Sequence, residues 1–508
     1  MALFPITGRF VGDFVPHLVA VDTDDTMDTV AEKVAVHSVG RRIARPAPET
    51  RMSSTAANGA TLVRPASALP DGDLYARNLI GGRWQFPAAP YEFEIRNPAD
   101  STITAVVPLS SRFDVDRAFK AAADALRGPW ADPAERYRML QAVIDRIDAS
   151  QSELARLQCT ETGLSLPDSL NVLRTTLSVA RAVLRRGARA EHAGSAGVSG
   201  HILSWGLPFT DMLTSVLPAL VRGDAVIVKP SLRGPLSPVA VAYLTSQAGL
   251  PPGVVNVVQG TGVDVGAELI SRRDLSALYV RAAPRTLAQA ERAHDRSGVS
   301  LHALRAGGNV VIVGSGDGFD LSALTETVVT AVRMNSSGGP FGLPVLAVHQ
   351  DREEAVLAAV LERLSRTTAA PLPTDPLRRR ALDRIGSLVA AGANVLAGGS
   401  TLPDDIAHRM GWRMRPTVLA LGSPGSAAVA AEQDSDPLGP VLSMITWREW
   451  DQLGSVFTSP RARHGIASVW GISEQATASL GFGLVAVGPS ASRLLSASLP
   501  QAWTGDAR

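Results

Sequence analysis

A single cysteine, Cys159, in 508 residues excludes an internal disulfide and any metal site built from several thiolates. It falls in a helical pattern over 153–162, where a buried structural thiol is the expected role. Charge of one sign is also missing. The 49 Lys+Arg and 48 Asp+Glu leave a net charge of +1, and no basic stripe offers a footprint for nucleic acid. The Arg378-Arg379-Arg380 run opens a helical pattern and reads as a solvated face. No apolar run is long enough to span a bilayer, and the N-terminus lacks a charged region followed by an apolar one. The expectation is therefore a cytoplasmic protein without a membrane segment. What is present is a 45% hydrophobic chain long enough for about three domains with sizeable cores.

Residues 1–45 read as a unit of their own. Segments 3–10 and 14–21 have strand length and flank the turn Val11-Gly12-Asp13. After the capping run Asp22-Thr23-Asp24-Asp25, Met27, Val30, Ala31 and Val34 share one helical face. Hairpin then helix is the opening of a ubiquitin-like β-grasp fold; a leader followed by a linker is the alternative. Residues 46–73, rich in Ala, Pro and Ser, read as linker.

From residue 74 the pattern changes. Two short strands around a turn are expected within 78–98, followed by helices through 183. Apolar strand candidates at 201–205, 224–229, 254–259, 277–281 and 299–304 then alternate with helical stretches at 211–222, 236–248, 263–272 and 284–295. This is βαβ periodicity and predicts a parallel, doubly wound sheet. A second α/β block begins near Asn309, with strands at 310–313, 343–348, 441–447 and 466–470 and long helices at 351–367 and 376–391. The expected domains are 74–305 and 306–480, with 481–508 as a C-terminal segment. A helix over 320–333 runs into the glycine-rich loop 334–342, a setting that can hold a nucleophile beside backbone N–H donors.

Residues 4–44 resemble the small gamma subunit, or protein B, of toluene 4-monooxygenase-type diiron hydroxylases. That resemblance implies a ubiquitin-like segment with no catalytic contribution of its own, and a diiron hydroxylase subunit as partner. From about residue 74 to the C-terminus the chain resembles the aldehyde dehydrogenase superfamily. Ser204-Trp205-Gly206-Leu207-Pro208 is similar to Pro-Trp-Asn-Phe-Pro, Val228-Lys229-Pro230-Ser231 to its cofactor-ribose strand, and Ala306-Gly307-Gly308-Asn309 to Leu-Gly-Gly-Lys-Asn. Asp436-Pro437-Leu438-Gly439-Pro440-Val441 is similar to Glu-Ile-Phe-Gly-Pro-Val. The resemblance implies two doubly wound α/β domains with a cofactor cleft between them.

Chemistry in that family uses a cysteine nucleophile, an asparagine that holds the oxyanion and a glutamate that activates water. The resemblance places Pro340 at the nucleophile, Gly206 at the asparagine, and Leu304 or Arg305 at the glutamate. Loss of an oxyanion donor alone costs about 2.7–4 kcal/mol of transition-state stabilisation. Ser336 and Ser337 lie in the loop, but a serine nucleophile needs an adjacent base, and His302 and His349 are its nearest sequence candidates. Arg281 stands where the family has a glycine. With Arg305 it either receives an anionic ligand or pairs with acids in an abandoned pocket.

The implied cofactor residues are Trp205, Lys229, Pro230, Ser231, Gly262, Gly266, Asp436 and Leu438. They leave open a weak NAD or NADP site, against retention for packing alone. No metal is expected. The family's oligomerisation hairpin is reduced to 187–200, and the chain stops before its last strand, so the usual oligomer interface is expected to be altered. The reading is a catalytically degenerate homologue with a binding or scaffolding role, partnered by a diiron hydroxylase or an active aldehyde dehydrogenase. Its rival is an NAD(P)-dependent oxidoreductase, or a non-redox activity on an aldehyde or acyl ligand.

Overall fold

The computed structural model of the chain describes residues 69–70, 72–187, 196–282, 284–294, 298–305, 309–335, 345–399, 411–434, 438–457, 466–472 and 484–487. The β-grasp expectation for 1–45, Pro340, Asp436 and the side chains of Leu304 and Arg305 lie outside the described residues.

Among the described residues the chain forms two seven-stranded sheets and a two-stranded one. The first sheet contains β1 (Asn78–Ile80), β2 (Arg83–Gln85), β5 (Val198–Ile202), β6 (Ala225–Lys229), β7 (Val255–Val257), β8 (Ala277–Ala282) and β9 (Ser300–Arg305). Its order is β2-β1-β7-β6-β5-β8-β9, with β5 to β9 parallel and β1 and β2 antiparallel at one edge. Gly81 and Gly82, at φ +59° and +73°, make the two-residue hairpin turn between β1 and β2, which needs positive φ at both positions. β3 (Tyr91–Arg96) and β4 (Ile103–Leu109) form the small antiparallel ribbon.

Helices Pro208–Arg222 and Leu236–Gln247 cover one face of this sheet; Arg112–Ala125, Ala267–Ser271 and Pro284–His294 cover the other. Both faces being covered explains why β6 is an unbroken apolar run up to Lys229. β5 begins at Val198 rather than at the expected 201 and ends at Ile202. Ser199, Gly200 and His201 interrupt its apolar pattern, yet all are buried, because the polar pair finds partners inside.

The second sheet has the order β12-β13-β14-β11-β10-β15-β16. Its strands are β10 (Val310–Val313), β11 (Val345–His349), β12 (Asn394–Ala397), β13 (Thr417–Ala420), β14 (Val441–Trp447), β15 (Ile466–Trp470) and β16 (Leu484–Val487). All are parallel except β12. β16 carries this sheet beyond residue 480, the boundary expected from sequence. Helices Leu321–Asn335 and Glu353–Ser365 pack on one face, and Asp375–Ala390, Ala427–Asp434 and Trp450–Phe457 on the other.

The two α/β units touch at several points. Arg333 pairs with Asp168 at 2.6 Å, Trp412 N donates to Pro98 O at 3.1 Å, and Trp205 packs against the core of the second unit. No helix among the described residues is long and apolar enough to cross a membrane.

Candidate cofactor cleft

Winding of the first sheet starts at β5, moves through β6 to β7, then returns to β8 on the other side of β5. The connections after β5 and β8 thus leave on opposite faces, and their carboxyl ends define the switch point where doubly wound sheets bind ligands. Sequence-predicted residues collect around these strand ends. Trp205 and Gly206 follow β5, Lys229 ends β6 with Pro230 and Ser231 next, and the turn Gly262–Gly266 follows β7.

Lys229 is buried at 5% exposure, and its Nζ donates to Pro230 O at 2.8 Å. A Cβ on Gly266 would stand 3.5 Å from Lys229 Cε, so this glycine lies against the lysine stem. Ser231 serves its own turn: its Oγ accepts from Arg233 N at 3.2 Å. The Gly262–Gly266 turn is π-helical and runs directly into helix Ala267–Ser271, in line with the helical stretch expected over 263–272, and Thr261 caps it by accepting from Asp264 N at 2.9 Å. Gly262 faces open space. Leu438 packs in the core of the second unit.

Directly at the switch point sits a cluster that motif reading alone did not reveal. Asp211, in the first turn of helix Pro208–Arg222, forms an ion pair with Arg281 on β8. Side-chain exposure is 4% for Arg281 and 1% for Asp211. The other Asp211 oxygen accepts from Ser204 N at 3.2 Å and from Ser204 Oγ. Of the two readings of Arg281, the structure gives pairing with an acid. One signal was available in the sequence: Asp211 is the lone carboxylate in the largely apolar run 207–221, and a carboxylate buried with such a run needs a cation.

Below this cluster, towards the middle of the sheet, the same face carries a polar stack. His201 lies on Tyr279 with ring centroids 4.7 Å apart, and Tyr279 on His302 at 4.4 Å. His201 Nε2 is 3.0 Å from Ser199 Oγ and Nδ1 is 2.8 Å from Ser215 Oγ. Burial, aided by Arg222 and His302 nearby, pushes the His201 imidazole down to about 3, so it is neutral and structural. Glu161 is another buried ionisable group missed by sequence reasoning. It accepts from Leu236 N, from Ser237 N at 3.1 Å and from Ser237 Oγ at 2.6 Å, and so caps helix Leu236–Gln247. Burial pushes its carboxyl up to about 7 against the lowering effect of those bonds.

With the geometry in place, comparison with known proteins places the chain. The profile of the aldehyde dehydrogenase family matches residues 84–456. The chain belongs to the aldehyde dehydrogenase family. It is 30% identical over 396 residues to the 3,6-anhydro-alpha-L-galactose dehydrogenase of Streptomyces coelicolor, a match spanning 72% of this chain and 78% of that enzyme. Geranial dehydrogenase of Castellaniella defragrans is 27% identical over 404 residues, 73% of this chain and 82% of the relative. Among solved structures, a mutant aldehyde dehydrogenase of Bacillus cereus superposes with a TM-score of 0.73 at 23% identity, covering 82% of this chain and 89% of that one. An aldehyde dehydrogenase C mutant from Pseudomonas syringae, complexed with NAD+ and octanal, gives 0.72 at 23% identity, covering 82% and 90%. Residues 3–67 match toluene-4-monooxygenase system protein B (TmoB), a span that extends beyond residues 4–44 into the stretch read as linker.

An aldehyde dehydrogenase of this family implies a nicotinamide dinucleotide. Gly262 leaves room beside the Lys229 end of the cleft, but the switch point itself is filled by Ser204, Asp211 and Arg281. The residues present therefore do not fit the whole dinucleotide.

Proposed function

We propose that this member of the aldehyde dehydrogenase family has lost thiol-dependent oxidation and acts as a binding or scaffolding component in hydrocarbon or aromatic oxidation. The observation that carries this reading is the position of the chain's one thiol. Cys159 lies in helix Gln151–Thr162, with Sγ 3.4 Å from Ser169 Oγ on the neighbouring helix Leu166–Gly187, so it is held in a helix–helix contact and not in the loop 334–342 that carries the family's nucleophile position. Pro340 holds the family's nucleophile position, and Gly206 offers no side-chain amide for an oxyanion.

The match of residues 3–67 to protein B of a toluene monooxygenase system supports a diiron hydroxylase subunit as the partner. An active aldehyde dehydrogenase of the same route is the second candidate. The reading is tested by incubating the purified full chain with NAD or NADP and a panel of aldehydes, and separately by co-purification with monooxygenase subunits. No reduced nicotinamide, together with a co-purifying hydroxylase subunit, is expected.

One observation favours an active oxidoreductase: the 30% identity to a sugar dehydrogenase over most of both chains. Aldehyde-dependent reduction of either cofactor in the same assay would establish that reading instead.

A further inference from the structure

We infer that the Asp211–Arg281 ion pair, seated with Ser204 over the β5/β8 switch point, is a filling supplied by the chain itself that excludes nicotinamide dinucleotides from the crevice. Strand register puts the pair there. His201 faces Tyr279 and Ile202 faces Val280 across β5 and β8, so Arg281 comes level with the first residue beyond β5. Alternation along β8 sends Arg281 to the same face as Tyr279, under the first turn of helix Pro208–Arg222, where Asp211 waits.

Both partners are almost wholly withdrawn from water, and the carboxylate is engaged on both oxygens, one by Arg281 and the other by Ser204. The guanidinium charge is thereby cancelled and does not attract a pyrophosphate. The carboxylate is cancelled equally, so the pair offers a pyrophosphate no net attraction. A dinucleotide could enter only by displacing a desolvated pair and leaving each charge without its partner. This inference concerns which ligand can enter and stands whatever partner residues 3–67 have.

Saturation-transfer NMR on the full chain with NAD and NADP at millimolar concentration gives the direct test. No transfer to the nicotinamide protons is expected from the natural protein. The double variant Asp211→Leu/Arg281→Gly removes both charges together and reopens the strand end. It should bind NAD or NADP at least roughly tenfold more tightly by calorimetry. Transfer from the natural chain to the nicotinamide protons overturns the inference, as does a folded double variant that binds no better. Should that variant fail to fold, Asp211→Ala/Arg281→Ala is measured in its place and read the same way, beside the experiment on the natural chain. A natural chain that binds the nicotinamide ring but oxidises no aldehyde would overturn this inference and leave the proposed function standing.

Discussion

At the switch point of the first sheet, between β5 and β8, side chains make the closure; at that of the second, between β10 and β15, the main chain does. Gly314 N donates to Trp470 O at 2.8 Å and Gly316 N to Gly471 O at 3.2 Å. A Cβ on Gly314 would stand 2.5 Å from Gly471 O, and one on Gly316 2.7 Å from it. Only glycine allows that approach. Two units wound on the same plan therefore differ in what can be changed. The second crevice is shut by backbone and is part of the fold, whereas the first is filled by two side chains that substitution could remove.

The largest expected effect breaks the side-chain closure from one side. Arg281→Ala strands a carboxylate that is 1% exposed and should cost about 3–5 kcal/mol of stability in denaturant unfolding. Removing both charges with Asp211→Leu should restore most of it. Arg384, whose Nη2 lies 2.5 Å from Glu432 Oε2 in the second unit at 6% exposure, provides a matching control, and Arg384→Ala should fall in the same range. A buried pair in a core and a buried pair in a cleft should thus cost alike, while only the latter alters ligand entry.

Gly314→Ala tests the main-chain closure. The added methyl must push the Gly471 carbonyl away, so a loss of about 1–3 kcal/mol is expected, seen as a lower melting temperature. No paired substitution should rescue it.

Proton linkage separates the buried groups of the first unit. His201 stays neutral down to about 3, so below about 6.5 the unfolded chain takes up a proton that the folded one refuses. Stability should therefore fall as pH drops from about 6.5 towards 3, by up to about 1.4 kcal/mol per pH unit for this group. Glu161 works with the opposite sign. Its raised pKa means the folded state keeps a proton that the unfolded chain releases above about 4.5, so its contribution weakens as pH rises to about 7 and is level beyond. Comparing His201→Gln and Glu161→Gln with the natural chain in pH-dependent unfolding should remove one slope each. At the bottom of the scale, Arg363→Ala breaks an ion pair with Glu326 in which both side chains are more than half exposed, and should cost under about 1 kcal/mol.

Much of the architecture was legible in the sequence. β10, β14 and β15 have the expected boundaries: β10 is an unbroken Val/Ile run, and β14 and β15 are apolar runs interrupted only by Ser443, Thr446 and Ser468. β5 was displaced because Ser199 and His201 hide a buried strand behind polar residues whose partners, Ser215 among them, come from elsewhere in the fold. β12 and β13 were missed: β12 is an exposed edge with no alternation, and only its antiparallel pairing identifies it. Lys229, Ser231 and Gly266 could be placed near the strand ends by motif, since each lies within a short stretch of one of them. The Asp211–Arg281 pair was not, because its members stand 70 positions apart and only the parallel register of β5 and β8 joins them.

The central claim is that the family scaffold remains without thiol-dependent oxidation. Its most direct measurement is the appearance of reduced nicotinamide when the purified full chain is given NAD or NADP and an aldehyde panel. The account predicts no rate above the protein-free control; aldehyde-dependent reduction that follows protein concentration would contradict it.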